Sequence, residues 1–292
     1  MVGPIPERPR DLLVAGHVNV DHFLAVREFP AADRTVPLGS VRAELGGPAA
    51  TIARVASGYG VRTGIAALIG DGFPSEFRDV LARAQIDLRG LVRVPGRSTP
   101  ACYILVDRHG GQRTLIDQGP MGDDPGGPLP TEILGEYAWL HVTTGPPDRH
   151  LELARRARRA GLRVAADPAQ ELHYRWDRRR FGALLAESEI LFGNRSEIAE
   201  ACRLVRVRSP AELVAQVPLI VRTEGPNGAT AFARGIRRHV AAGRPRRSRS
   251  FVGAGDAFRG GFYSAWFDGQ LLERCLTAGV RASTRWVEGT GG

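Results

Sequence analysis

The sequence predicts an α/β fold, a doubly wound, mostly parallel sheet flanked by helices, with a small β lid. Three observations support this prediction. Short apolar, β-branched runs alternate with stretches of helical periodicity, which is typical of a parallel sheet. A chain of 292 residues with 43% hydrophobic content is long and apolar enough for a large core. Two segments near the beginning and the middle of the chain interrupt the alternation. We therefore expect one domain over residues 1–292 with a small lid.

The alternation defines the main elements in order. Apolar runs bounded by turn residues predict strands over 11–18, 62–70, 101–107, 137–143, 162–168, 189–194 and 219–225. Helical spacing predicts helices over 50–59, 75–84, 150–160, 197–203 and 257–266. In such sheets ligands bind beyond the carboxyl ends of the strands, where Asp167, Asn194 and Thr223 fall.

Residues 17–44 and 98–120 do not fit this alternation. Both segments have the pattern of short strands joined by turns, without a helix between them. We expect them to form a small sheet that stands off the main body as a lid. An edge hairpin that extends the main sheet explains the same pattern equally well.

Composition excludes several classes of function. The net charge is +9, yet all 40 basic residues are arginine and there is no lysine. A lysine-containing phosphate loop and Schiff-base chemistry are therefore excluded. The arginine-rich stretches "LARRARRAGLR", "RWDRRRF" and "RPRRSRS" are separate, as expected of solvated faces, so we expect no nucleic-acid partner.

Cysteine content and hydropathy indicate the compartment. Three widely spaced cysteines without a C-x-x-C pair argue against a disulfide framework or a zinc site. No run reaches the roughly 20 apolar residues of a membrane span, and the first eleven residues carry prolines and mixed charges. We expect a cytoplasmic protein with neither signal peptide nor membrane partner.

The stretch "SFVGAGDAFRGGF", residues 250–262, carries the strongest chemical signal. Gly253, Ala254 and Gly255 leave a helix start without bulk, so its free N–H groups can meet an anion. Asp256 follows in the same first turn. An anion cradle beside a carboxylate points to proton abstraction next to a phosphate. The alternative is an ordinary carboxylate at a helix start.

A second glycine cluster, "ELGGPAATIARVASGYG", covers residues 44–60. Gly46 and Gly47 precede a helix rich in small residues, so a ligand hydroxyl can approach the backbone there. A tight turn before a packed helix is the structural alternative. Neither cluster by itself identifies a substrate.

Five motifs in order extend the pattern over nearly the whole chain: "GHVNVD", "GGPAATIARVASGYG", "GNRSE", "RTEGPNG" and "GAGDAFRGG". With them the chain resembles the ribokinase/PfkB family of carbohydrate kinases. The resemblance implies that Asp256 is the catalytic base and that Gly253, Ala254 and Gly255 form the anion hole. An attacking alcohol needs both a proton acceptor and a held phosphate, so this pairing is chemically coherent.

The resemblance also implies substrate ligands. Asn19 and Asp21 in "NVD" match residues that bind substrate hydroxyls, and Gly46 and Gly47 match the first family signature. Thr51 stands where that signature usually has asparagine, so one substrate hydrogen bond is altered.

The remaining motifs match nucleotide and metal positions. Asn194 and Glu197 fall on an N-x-x-E motif associated with magnesium and phosphate, with Glu197 holding the metal through water. Thr223, Gly225 and Gly228 match a T-x-G-x-x-G nucleotide segment. For Asn194 and Glu197, a helix cap with its capping-box acid is the structural alternative, and both roles can coexist.

Two further departures from the family's motifs affect the expected site. Ser250, Phe251 and Val252 replace a D-T-T segment, and apolar side chains offer a monovalent cation no ligands. Gly145 stands about where related kinases carry a substrate-binding carboxylate. Substrate identity therefore does not transfer from ribose kinases.

Together these features predict an ATP-dependent, magnesium-dependent kinase that phosphorylates a hydroxymethyl group of a small carbohydrate. A nucleoside is the alternative acceptor. A non-catalytic sugar or nucleotide sensor on the same fold is the alternative from another class, and the intact Asp256 counts against it. The resemblance further implies a homodimer through the lid. A Rossmann oxidoreductase is disfavoured, because no G-x-G-x-x-G follows the first strand.

Overall fold

The computed structural model describes residues 8–122, 127, 129–247 and 251–290. Within these ranges the strands are β1 Arg10–Ala15, β2 Asn19–Ala25, β3 Ser40–Gly46, β4 Thr63–Asp71, β5 Leu91–Ser98, β6 Ala101–Val106, β7 Gln112–Asp117, β8 Tyr137–Val142, β9 Arg163–Ala166, β10 Ile190–Asn194, β11 Leu219–Thr223, β12 Ala229–Ala233 and β13 Ile236–Val240. The helices are α1 Pro48–Gly58, α2 Ser75–Arg83, α3 Pro147–Arg159, α4 Arg178–Glu187, α5 Arg195–Val205, α6 Pro210–Leu213, α7 Ala254–Phe267 and α8 Leu272–Glu288.

A nine-stranded sheet forms the centre of the described structure. Its order is β13-β12-β11-β10-β9-β8-β1-β4-β5. The strands from β11 to β5 pair in parallel, whereas β12 and β13 add an antiparallel edge. The predicted mostly parallel α/β class is confirmed.

Side chains of β1 show how the sheet builds a core on each face. Leu12 and Val14 contact the cluster under α1, α2, α7 and α8, while Leu13 and Ala15 join the cluster under α3, α4 and α5. Because alternate residues of a strand point to opposite faces, one apolar run supplies both cores. None of the helices in the described ranges has the length and apolar character required to span a bilayer.

A second, four-stranded sheet, called here the lid sheet, has the order β3-β2-β6-β7. Its strands come from the two segments that interrupt the helix and strand alternation. Strand β2 runs antiparallel to β3 and parallel to β6. Asn19, Asp21 and Phe23 alternate along β2 and all line one cavity, so this face of the lid sheet is turned toward the main body.

Candidate active site

Two cavities meet in front of α7. The first has a volume of about 1250 Å³ and lies against the lid sheet and the start of α1. The second has a volume of about 980 Å³ and lies between the β11–β12 turn, α7 and α8. Phe251 and Gly255 line both cavities. The two spaces therefore converge on the glycine-rich start of α7.

The first turn of α7 is shaped by its small residues. Gly253 precedes the helix with φ 77°, a left-handed conformation that favours glycine, and a Cβ at this position would lie 3.1 Å from Trp286 Nε1. Ala254 is the first helical residue, and Asp256 is the third. The Asp256 side chain does not cap the helix, and it has no hydrogen-bond partner in the described part of the chain. Asp256 therefore does not cap α7, but it lies in the first turn, as the structural alternative of an ordinary helix-start carboxylate also predicts.

Burial and the surrounding charges shift the pKa of Asp256. Burial raises the pKa of its carboxyl to about 7, against the opposing effect of Arg259. The carboxylates of Asp167, Glu197 and Asp21 raise this pKa further. Asp256 is half-buried and lines the first cavity, so its carboxylate can meet a ligand there. A carboxylate with a pKa near 7 accepts a proton more readily than an ordinary one.

Strand β2 places two polar side chains with unused hydrogen-bonding capacity in the same cavity. Asn19 donates its amide to Cys102 Sγ at 3.3 Å, but Asn19 Oδ1 and Asp21 Oδ1 are buried without a partner among the described residues. Burial raises the pKa of Asp21 to about 6. Because an unpaired buried polar atom is costly, these oxygens fit ligands for substrate hydroxyls.

The two glycines before α1 allow close approaches. A Cβ on Gly46 would overlap the Asp21 carboxylate, so Gly46 makes room for that side chain. Gly47 has φ 90°, and a Cβ there would collide with the His17 carbonyl and the Asn19 amide. Thr51, on the first turns of α1, lines the cavity with them. All five predicted substrate residues are thus brought together.

Asn194 and Glu197 form a capping box at the start of α5. Asn194 Oδ1 accepts from the Glu197 amide at 2.9 Å, and Glu197 Oε2 accepts from the Asn194 amide at 2.7 Å. Their structural role is therefore present. Asn194 lines the first cavity, whereas Glu197 lies behind it, and burial raises the pKa of Glu197.

The described residues contain no group of three or more His, Cys, Asp or Glu arranged to hold a metal ion. The donors near the cavity are oxygens, which magnesium prefers, and magnesium usually keeps several waters and binds through substrate phosphates. These donors are compatible with a magnesium ion carried by the nucleotide, but Glu197, the predicted metal residue, lines neither cavity.

The second cavity is lined by the predicted nucleotide segment. Thr223 ends β11, and Gly225 and Gly228 frame the turn into β12 with φ 56° and φ 94°. A Cβ on Gly228 would collide with the Val240 carbonyl, so the turn requires glycine. The other residues that line the second cavity are mostly small or apolar, including Ala254 and Gly255 of α7.

The positions that depart from the family pattern are also defined, except Ser250, which lies outside the described residues. Phe251 is 67% exposed and lines both cavities. The Val252 carbonyl accepts a hydrogen bond from Trp286 Nε1 at 2.8 Å. Gly145 does not line the cavities; its amide donates to the buried Glu171 carboxylate.

Sequence reasoning missed two groups near the site. Arg259 and Asp167 form a buried ion pair behind the start of α7, although Arg259 follows Asp256 by three residues in a recognisable motif. Arg54 of α1 and Arg42 of β3 line the first cavity. The helical spacing of Arg54 from Thr51 was a usable signal for its position, since residues three apart share a helix face.

Comparisons with known proteins identify the family of this chain. Residues 9–292 match the family model described as pfkB family carbohydrate kinase. A nucleoside kinase of Methanothermobacter thermautotrophicus is 29% identical over 91% of this chain and 85% of its own length. An ATP-dependent ribose-1-phosphate kinase of Halopiger xanaduensis is 31% identical over 91% of this chain and 88% of its own length.

A solved structure shows the same fold. The nucleoside kinase of Methanocaldococcus jannaschii, an archaeal member of the ribokinase family, superposes with a TM-score of 0.86 at 22% identity. The alignment covers 98% of this chain and 94% of that one. The fold and the family match define a phosphotransferase with an alcohol acceptor. The chain belongs to the pfkB family of carbohydrate kinases, which confirms the predicted class of ATP-dependent kinase.

Proposed function

We propose that this kinase transfers the γ-phosphoryl group of ATP to the hydroxymethyl group of a nucleoside, with Asp256 as the general base. One observation carries the proposal: Asp256 stands in the substrate cavity at the helix start that also borders the nucleotide cavity. A hydroxyl in the first cavity and a phosphate from the second can therefore meet beside one proton acceptor.

Other groups of the chain supply the phosphate binding and the substrate orientation that phosphoryl transfer also requires. At the start of α7 the Ala254 N–H donates to the Phe251 carbonyl at 3.2 Å, whereas the N–H groups of Gly255 and Asp256 have no partner among the described residues and can bind phosphate oxygens as charge develops during transfer. A magnesium ion bound with the nucleotide would supply charge neutralisation at the phosphates, and Glu197 would hold one of its waters. Asp256 takes the proton of the attacking hydroxyl, and Asn19 and Asp21 orient the sugar that carries it.

The size and walls of the first cavity favour a nucleoside over a free sugar. A volume of about 1250 Å³ exceeds the need of a single sugar ring. Beyond Asn19 and Asp21 the lid sheet adds Phe23, Ile104 and Thr114 to the lining. These apolar side chains, within a lining that is otherwise largely polar, can contact a flat heterocycle attached to the sugar.

A specific observation favours a second candidate, a ribosyl phosphate. Arg54 is half-buried in the cavity wall, and in the described ranges it has neither an ion pair nor a side-chain hydrogen bond. Burial lowers its pKa, as expected of a cation without a partner. Arg42 nearby is paired with Glu44 at 2.7 Å. An acceptor that carries its own phosphate would neutralise Arg54.

A panel of acceptors separates these candidates. ATP consumption with magnesium is measured against nucleosides, free pentoses and ribose 1-phosphate, for the unmodified enzyme and for Arg54→Gln. We expect nucleosides to give the highest kcat/KM and Arg54→Gln to leave it within about threefold. A preference for ribose 1-phosphate that Arg54→Gln abolishes would establish the second candidate instead. ADP release that no acceptor accelerates would indicate a sensor.

A further inference from the structure

A buried arginine lies one turn after the proposed base. Arg259 is 4% exposed, and its Nε and Nη2 donate to the two carboxylate oxygens of Asp167 at 2.5 and 2.7 Å. Asp167 follows β9, 92 residues earlier in the chain, and is fully buried. A bidentate pair of this kind fixes the orientation of the guanidinium.

The third guanidinium nitrogen faces the anion hole. A Cβ built on Gly255 would lie 2.8 Å from Arg259 Nη1, so the arginine packs directly against the backbone that borders both cavities. Arg259 lines neither cavity. It therefore packs against the first turn of α7 without bordering either cavity.

The ion pair of Arg259 and Asp167 belongs to a larger buried group of polar side chains. His141 Nε2 lies 3.3 Å from Asp167 Oδ2, and His141 Nδ1 lies 2.8 Å from the Tyr263 hydroxyl. Burial lowers the pKa of His141, which keeps the imidazole neutral. Burial opposes ionisation of Asp167, but Arg259 lowers the pKa of that carboxyl to about 2. The charge of Asp167 is thus balanced mainly by Arg259.

We propose that Arg259 is a positioning residue for phosphoryl transfer: anchored by Asp167, it holds the first turn of α7 in place and counterbalances the negative charge around Asp256. This inference rests on the proposed function, because it requires Asp256 to act as the base. No contact between Arg259 and a ligand is needed.

The charged residues around Asp256 determine in which direction each substitution shifts the pKa of its carboxyl. Asp21 on β2, Asp167 after β9 and Glu197 on α5 all favour its protonated form, whereas Arg259 on its own helix favours the carboxylate. On α1 and α8, the helices packed against α7, only Arg54 among the charged residues lines the cavity that contains Asp256. Removing Arg259 therefore leaves mainly carboxylates around the base, and removing Asp167 leaves an unbalanced cation.

Two variants that break the same ion pair should act in opposite directions. Arg259→Gln removes the cation, so Asp256 is harder to ionise and the acid limb of the pH profile moves to higher pH. Asp167→Asn removes a carboxylate, so the acid limb moves to lower pH. A purely structural role predicts lower stability in both variants without opposite shifts, since both lose the same contact.

The test is the pH dependence of kcat/KM between pH 5 and 9.5 for the full-length enzyme, Arg259→Gln, Asp167→Asn and Arg259→Lys. We expect Arg259→Gln to move the acid limb up by about one pH unit, which is about a tenfold loss at pH 6 that recovers at alkaline pH. Arg259→Lys keeps the charge, so its limb stays in place while kcat falls. Arg281→Gln, which removes an exposed charge on α8, is the matched control and leaves the limb unchanged.

The outcomes separate this inference from the proposed function. If the unmodified enzyme shows no acid limb near pH 7, the role of Asp256 as base fails. If the limb is present but Arg259→Gln and Asp167→Asn leave it in place, or move it the same way, the role of Arg259 is overturned. Should Arg259→Gln not fold by circular dichroism, Asp167→Asn decides alone: a shift to lower pH supports the inference, and any other result contradicts it.

Discussion

Because glycine has no side chain, Gly46 leaves room for the Asp21 carboxylate. Because a Cβ on Gly46 would overlap that carboxylate, Gly46→Ala should displace Asp21 from the substrate cavity. We expect the KM for the acceptor to rise at least tenfold, with the KM for ATP nearly unchanged. Gly58→Ala, on α1 where a Cβ meets nothing within 4 Å, is the control and should leave both constants unchanged.

The ionisation of Asp256 sets the pH dependence of the reaction. Burial raises its pKa to about 7, and only the carboxylate form accepts a proton. In the free enzyme, kcat/KM should therefore be maximal above pH 7 and fall about tenfold per unit below it. Asp21, with its pKa raised to about 6, steepens the fall further below pH 6. A profile that is flat between pH 6 and 8 would contradict this assignment.

At the residue scale, the motifs predicted which residues lie together at the site. They did not predict the contacts that these residues make with the rest of the chain. The sequence places Asp256 at a helix start, and the structure places it there beside Gly253 and Gly255. The pairing of Arg259 with Asp167 depends on a packing contact across 92 residues, which no local pattern encodes. The sequence predicts space for a ligand at Gly46, whereas the Asp21 carboxylate occupies that space.

At the scale of elements, α5 begins at a capping box that also borders the site. Asn194→Ala removes the side-chain acceptor for the Glu197 amide, which should lower the free energy of unfolding by about 1 kcal/mol. It should also raise the magnesium concentration needed for half-maximal rate. Ser209→Ala, which removes the cap of α6 away from both cavities, should reduce Tm without altering the magnesium requirement. Equal magnesium requirements in the two variants would limit Asn194 and Glu197 to a structural role.

The residues of the loop before α7 determine how many oxygen ligands are available to a monovalent cation. Phe251 offers no oxygen ligand from its side chain, and the Val252 carbonyl already accepts a hydrogen bond from Trp286. We expect replacement of sodium by potassium at constant ionic strength to change kcat by less than twofold. Strong activation by potassium would show that other oxygens of this loop bind the ion.

Periodicity predicted most of the main elements but missed several. The predicted runs for β4 and β8 to β11 fall within two residues of the observed strands, because buried parallel strands are continuous apolar runs, whereas the run for β1 extends three residues past its end at Ala15. Strand β5 was missed. It lies at the sheet edge and contains Pro95 and Gly96, which weaken the strand pattern and are tolerated at edges.

At the scale of the whole molecule, the lid sheet leaves an apolar outer face. Val41 and Leu115 are 58% and 66% exposed, and Tyr103 next to them stacks on His22. All four alternate with the cavity-facing residues, so they share the outer face. We propose that two lids pair through this face and the adjoining strand edges, since exposed apolar patches and open edges favour association.

Light scattering at micromolar concentration tests this assembly. The unmodified chain should be a dimer, and Leu115→Asp should be a monomer because a charge then lies in the apolar face. Arg108→Asp, in the turn between β6 and β7, is the control and should remain dimeric. A monomeric unmodified chain would rule out the assembly and leave the lid as a cover over the substrate alone.

The central claim is that Asp256 takes the proton of the acceptor hydroxyl. Asp256→Asn keeps the size of the side chain and the start of α7, and it removes no cap, because Gly253 precedes the helix without a side-chain hydrogen bond. Turnover, ATP affinity and Tm are measured on this one variant. We predict that kcat falls by about 10²–10⁴, while ATP affinity is unchanged or slightly higher and Tm moves by only a few degrees. Near-normal turnover with the preferred acceptor would contradict the account.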